Sequence, residues 1–307
     1  MKLEKIAVGI DFSEQSEVAL EQAMNVARRN GAEVVLIHAC SVPDAAKSVP
    51  LTMQGTVSQL ETVVRERLAE DRKKLEQLRE RADSGTVEVS HVVIDGFADS
   101  GVVEAAAEIA ADLIVVGTHG RTGFGRFLLG SVAERTVRLS ESNVMVARPQ
   151  SKGAGGFHKL LVPIDLSDDS KAVLDAAIAL AAKDATIEVF HAWQLPGATW
   201  ATLDVSLASG GTLRSALSAS AADRGAELLA PFRDETNASI TFTHAEGPAA
   251  RTIHDKLDST EYDLVVMGSH GRRGLRRFML GSVAEATVRY APCSVAVIHT
   301  PAKHDDE

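Results

Sequence analysis

The chain is 307 residues long, 45 % hydrophobic and 24 % charged, which places it among soluble globular proteins with room for about two domains of ordinary size. Its formal net charge of −10 opposes a general nucleic-acid or anionic-membrane surface, because those partners require a basic footprint. No stretch reaches the roughly 18 apolar residues of a membrane span, the opening residues lack a leader-like apolar core, and two cysteines, Cys40 and Cys293, are too few for a disulfide scaffold, so a cytoplasmic protein with reduced thiols is expected.

The first half opens on the apolar run 6–10, which ends at Asp11, and the second repeats it over 160–164, ending at Asp165. Apolar, β-branched runs without polar alternation predict parallel strands buried on both faces. Ser13 and Ser167 follow as expected helix N-caps, with Glu14 or Asp168 and Asp169 in the first turn. Leu20, Ala23, Met24 and Ala27 then recur at helical spacing, as do Leu174, Ala177, Ile178 and Ala181.

Second strands are predicted over 34–39 and 187–192, near whose ends stand His38 and His191. There the halves diverge. The first has a loop to about Gly55, then a charged amphipathic helix carrying Leu60, Val64, Leu68, Leu75 and Leu78. The second has a weakly charged connection over 193–211 holding both tryptophans, Trp193 and Trp200, readable as plain loop and packing or as a lid. Its following helix carries Leu217, Ala221, Leu228 and Phe232.

Third strands are predicted over 87–94 and 240–244, followed in the first half by a helix whose apolar stripe is Val103, Ala106, Ala107 and Ala110. Fourth strands, 113–117 and 264–268, run into a loop that occurs twice with one spacing: Gly117-x2-Gly120-x9-Gly130-Ser131 and Gly268-x2-Gly271-x9-Gly281-Ser282. The last strands, 143–147 and 294–298, are closed by Pro149 and Pro301.

Each half therefore reads β-α-β-α-β-α-β-α-β. The fold class is α/β: two tandem open-sheet domains, each a five-stranded parallel sheet with helices on both faces. The domains span 1–149 and 157–302, joined by a glycine-rich linker over 150–156 whose reach of about 25 Å keeps the halves adjacent. The offset between copies narrows only from 154 at Asp11 and Asp165, through 153 at His38 and His191 and again at His91 and His244, to 151 at Gly117 and Gly268. This is an internal duplication that kept its chemistry-bearing positions.

Several chemistries lack their signatures. There is no P-loop, no dinucleotide glycine pattern after the first strand and no nucleophile elbow. No catalytic residue is assigned. His38 with His91, and His191 with His244, could approach one another on neighbouring strands, but no third ligand stands at supporting spacing and no metal site is assigned. His119 and His270 lie in the glycine loops, where a ring could meet a phosphate or cap a strand end. Arg272, Arg273, Arg276 and Arg277 form a basic cluster, either a solvated loop or an aid to phosphate steering.

What remains is a binding site built mainly from backbone at the C-terminal ends of the strands. Asp11 or Asp165 can accept from a ribose hydroxyl or an adenine amine, or can cap a helix. Ala39 or Ala192 would line a slot for a base. Gly117, Gly120, Gly130 and Ser131, and their partners Gly268, Gly271, Gly281 and Ser282, would surround phosphates with bare backbone and unpaired N–H groups.

The doubled glycine motif, together with Asp11 and Asp165, resembles the universal stress protein family, over nearly the whole chain and as a tandem member of its ATP-binding branch. The resemblance implies an adenine nucleotide alpha hydrolase-like sheet that holds ATP, with Mg held mainly by the phosphates. By motif the contacts would be Asp11, Ala39, Val116, Gly117, Gly120, Gly130, Ser131 and Val132, and in the second half Asp165, Ala192, Met267, Gly268, Gly271, Gly281, Ser282 and Val283. It further implies pairing of the two domains through their last strands as a pseudo-dimer, association of tandem chains as a homodimer, and a regulatory role as a nucleotide sensor with weak ATPase activity at most; the alternatives are an enzyme that hydrolyses ATP or transfers a nucleotidyl group, and a binding module for a non-nucleotide ligand. Gly9 stands where the second half has Pro163, a departure on the adenine side of the first site.

Overall fold

A computed structural model describes residues 1–40, 54–83, 85–118, 129–149, 156–195, 212–232, 236–270 and 280–300. The first half contains β1 (Lys5–Gly9), α1 (Glu14–Asn30), β2 (Glu33–Cys40), α2 (Gln54–Ala82), β3 (Val89–Asp95), α3 (Ala98–Glu108), β4 (Leu113–Gly117), α4 (Ser131–Leu139) and β5 (Asn143–Ala147). The second contains β6 (Phe157–Ile164), α5 (Ser170–Leu180), β7 (Ala181–Trp193), α6 (Leu213–Leu229), β8 (Ser239–Glu246), α7 (Ala249–Ser259), β9 (Leu264–Gly268), α8 (Ser282–Tyr290) and β10 (Ser294–Ile298). Each half thus supplies the five strands expected of it.

By contacts the chain forms two compact units, one holding β1–β4 with α1–α4 and the other β5–β10 with α5–α8. In the first unit the strand order is β3-β2-β1-β4, and the pairings are parallel. In the second it is β5-β10-β9-β6-β7-β8, parallel except where β5 runs against β10 with Met145 opposite Ala296.

The interiors of β1 and β6 are completely buried, at Ile6, Ala7 and Val8 and at Leu160, Leu161 and Val162, as the unbroken apolar runs require, whereas the edge strand β8 is half-buried or exposed along its length. With this strand order, right-handed crossovers put α1 and α2 on one face and α3 and α4 on the other. Arg81 of α2 accordingly reaches Glu17 of α1 at 3.1 Å, and α3 packs on α4. In the second unit His254 of α7 meets the Tyr290 ring of α8 edge-on at 5.9 Å.

Repeated small devices hold the strands in register. Asp112, just before β4, accepts from the N–H groups of Glu4 and Lys5 at 2.7 and 2.9 Å, and Asp263, just before β9, does the same for His158 and Lys159 at 2.8 and 2.9 Å. Arg148 closes the C-terminal end of α8 by donating to the carbonyls of Val288 at 2.7 Å and Arg289 at 3.3 Å, where the helix dipole favours a cation.

Local expectations fail in four places. The buried stripe of α3 is Val102, Ala105 and Ala106, whereas Ala107 and Ala110 are exposed, because nearly every position of that helix is small or apolar and periodicity leaves its phase open. Helix α5 ends at Leu180, so Ala181 opens β7, which begins well before residue 187 and carries an irregularity against Phe157 and Lys159. Ser167 is not an N-cap: the cap residue of α5 is Asp169, with no side-chain capping bond. His91 and His244 are not equivalent, since His91 pairs with Leu36 but His244 with His191.

Candidate functional site

Register decides what meets at the strand ends. Gly9 lies beside Ile37 and Val8 beside Val115, so Asp11, Ala39, Val116 and Gly117 come together at the C-terminal ends of β1, β2 and β4. Ile164 lies beside His191 and Leu161 beside Val265, which gathers Asp165, Ala192, Met267 and Gly268 in the same way. In each half the chain leaves the first strand to one side and returns on the other, a topological switch point where crevices open in α/β sheets. Gly120 and Gly271 lie outside the described residues, as do His119, the four loop arginines and Trp200.

The turn after each aspartate is strained. Phe12 and Leu166 take φ of 62° and 58°, left-handed backbone that costs a bulky residue about 1–3 kcal/mol. Each is held by the preceding carboxylate: Asp11 Oδ1 accepts the N–H of Ser13 at 3.0 Å, and Asp165 Oδ1 that of Ser167 at 3.0 Å. Ser13 also donates its hydroxyl to Asp11 at 2.5 Å and accepts from Ser16 N at 3.3 Å, the N-cap bond of α1.

Behind this turn the histidines of the second strands serve the sheet. His38 Nδ1 lies 2.7 Å from Ile10 O, and His191 Nδ1 lies 2.9 Å from Ile164 O. A carbonyl only accepts, so Nδ1 carries the proton in both rings. The expected meeting of His38 with His91 does not occur, because His91 turns to Glu76 at 3.3 Å. His244 does stand beside His191 in the register, and it accepts from the Trp193 indole at 3.2 Å.

The glycine loops are closed at the mouth by one backbone bond each, Gly130 N to Thr118 O at 2.7 Å and Gly281 N to Ser269 O at 2.8 Å. The N–H of Gly130, expected to face a ligand, is therefore already paired. Gly130 and Gly281 are the cap residues of α4 and α8 without a side-chain cap, so the next three N–H groups of each helix have no intrahelical acceptor. Ser131 and Ser282 are exposed beside them, Val132 and Val283 half-buried, and Val116 and Met267 buried.

Gly117 has a packing role rather than the open backbone expected for it: a Cβ there would stand 2.9 Å from the backbone of Gln15 in α1. At Gly268 the nearest atom would be His270 O at 3.3 Å, and at Gly281 it would be Ser269 O at 3.1 Å. These glycines let a helix or a returning loop approach the strand end closely. Two grooves among the described residues lie elsewhere, at the seam of α1 with α2 and at that of α6 with β8.

The universal stress protein family model matches residues 2–148 and again residues 156–299. The chain belongs to the universal stress protein family. Two universal stress proteins of Methanocaldococcus jannaschii are similar to it: one is 33 % identical over 148 residues, covering 48 % of this chain and 84 % of the relative. The other is 28 % identical over 152 residues, covering 47 % and 94 %. Each of these relatives spans about one half of the tandem chain. A crystal structure of a universal stress protein from Archaeoglobus fulgidus matches 99 % of this chain and 97 % of its own with a TM-score of 0.66 at 18 % identity, a likeness of fold. Among the described residues, no helix of this universal stress protein is long and apolar enough to cross a membrane.

Proposed function

We propose that each half binds an adenine nucleotide, ATP with Mg²⁺ held mainly by the phosphates, and that the protein is a cytoplasmic regulatory nucleotide sensor with slow or no hydrolysis. The observation that carries this reading is the doubled loop mouth: a glycine-capped helix returns onto the end of β4 or β9 at a switch point, with exposed Ser131 or Ser282 and three N–H groups at the helix start. Such a helix start suits a phosphate chain. Half-buried Asp11 and Asp165, with Ala39 and Ala192 at the adjoining strand end, suit a ribose and a base. The chain's own groups would bind and orient the nucleotide, and the sequence carries no phosphoryl-transfer signature of the P-loop or kinase kind. Bound Mg²⁺ would shield the phosphate charge.

In the same reading the domains 1–149 and 157–302 act as a pseudo-dimer through their last strands, β5 and β10, and two tandem chains can associate as a homodimer. Equilibrium binding of labelled ATP to nucleotide-free protein tests the central claim. Two ATP per chain are expected, and Gly130→Val lowers this toward one with folding intact. Stoichiometry near zero in a folded, nucleotide-free sample overturns the reading.

A further inference from the structure

The first half brings together three ligating groups away from the glycine loop. His38 and Cys40 stand two apart on β2, so both side chains leave the same face of the sheet, and α2 lies across that face with Asp71 in its buried stripe beside Leu75 and Leu78. One ligand atom from each of His38, Cys40 and Asp71 lies within 4.8 Å of the other two. His38 is 5 % exposed and Asp71 3 %.

Two of these groups are orphaned. His38 Nε2 and Asp71 Oδ1 are buried and have no hydrogen-bond partner among the described residues. The contact between the two side chains, Nε2 to the other carboxylate oxygen, Asp71 Oδ2, at 3.6 Å, is too long for a hydrogen bond. Leaving such groups unsatisfied is costly, and a cation between them satisfies both. With its proton on Nδ1 and that N–H given to Ile10 O at 2.7 Å, the ring presents the Nε2 lone pair to the cluster. This is the arrangement that supports metal-binding histidines. Arg67 Nε, 3.3 Å from Asp71 Oδ2, orients the carboxylate and leaves Oδ1 without a hydrogen bond.

We propose that His38 Nε2, Cys40 Sγ and an Asp71 carboxylate oxygen form a binding site for a transition-metal dication of the zinc class, with a fourth position open to water or an added ligand. Mixed nitrogen, sulfur and oxygen donors favour such ions over the hard cations Mg²⁺ and Ca²⁺. Tetrahedral zinc, with bonds of about 2.0–2.3 Å, holds its ligands roughly 3.4–3.8 Å apart. The histidine and aspartate already stand at 3.6 Å, so closure asks for a shift of no more than about 1.4 Å from the thiol. The second half lacks the set. His191 keeps its bond to Ile164 O, but Trp193 stands two residues on, where the first half has Cys40, and the buried stripe of α6 is Ala221, Gly225 and Leu229.

Titration of the reduced, nucleotide-free full chain with Co²⁺ tests the site apart from any metal that phosphates would hold. One Co²⁺ per chain is expected, with a thiolate-to-cobalt absorption band that Zn²⁺ abolishes and excess Mg²⁺ leaves unchanged. Cys40→Ser removes the band. Asp71→Asn weakens cobalt binding by more than the roughly 10–100-fold lost with a merely supporting hydrogen-bond partner. Cys293→Ser leaves the band intact, because Cys293 is buried and burial pushes its thiol up to about 12. No band in the parent chain, a band that survives in Cys40→Ser, or loss of the band on adding Mg²⁺ overturns the assignment. Since the parent titration alone can do so, the test does not depend on any variant folding.

Discussion

The two halves share a backbone plan and differ in what they bury on it. In the first, Val35 sits on β2 opposite Ala7, and in the second Glu188 takes the matching place on β7 opposite Leu161. Val35 needs only apolar neighbours. Glu188 accepts from Thr243 at 2.6 Å, Lys256 at 2.6 Å and Tyr262 at 2.5 Å. The first half buries its polar exception on the helix above the sheet instead, at Asp71. Duplication preserved the strand ends and loop mouths and left the helix-facing interior free to diverge, because any packing that fills the space will support the same sheet.

The widest difference to break is steric. Gly117→Ala places a Cβ 2.9 Å from the backbone of Gln15, whereas Gly268→Ala meets His270 O at 3.3 Å. The first should cost about 3 kcal/mol and the second under about 1 kcal/mol, read as urea midpoints. Equal shifts would show that the helix α1 contact does not distinguish the halves.

Glu188→Gln comes next, at about 1–2 kcal/mol near neutral pH, and it carries a pH signature. Burial works to raise the Glu188 carboxyl, but hydrogen bonds from Lys256, Thr243 and Tyr262 outweigh it and hold the group below its ordinary 4.5. A depressed folded value means that the stabilisation is complete above the unfolded value of about 4.5 and disappears as pH falls through the lower folded one. Acid should therefore open the second half first, followed by tryptophan fluorescence, since both tryptophans lie there. Glu188→Gln should flatten that acid limb, and an unchanged limb would remove Glu188 from the account.

The smallest effect separates the two serines. Ser13→Ala removes a capping bond and should cost about 1 kcal/mol. Ser167→Ala removes none, because α5 begins at Ser170, and should cost a few tenths of a kcal/mol at most. Thermal unfolding of the pair checks this, and the order would invert if Ser167 capped its helix in solution.

The candidate site was partly legible beforehand. Asp11, Asp165 and the glycine spacings stood out because the duplication marked them twice. Asp71 carried a fainter mark: it falls three residues after Leu68 and four before Leu75, the apolar face of an amphipathic helix, where a carboxylate without a partner is costly. Sequence spacing also paired His91 with His244, and a two-residue slip between the third strands undid that match. The roles of Asp112 and Asp263 had no signal, since an aspartate before a strand looks like any turn residue.

Hydrophobic period, glycine spacing and repetition were enough to establish the ten strands found among the described residues, their parallel α/β class and the family, because each is a property of residues near one another along the chain. Which carboxylates are buried, which glycines face a helix and which histidine faces a thiol depended on elements far apart in the chain. Those choices belong to the tertiary structure, since only packing two distant elements together removes their polar groups from water and makes the identity of each neighbour count.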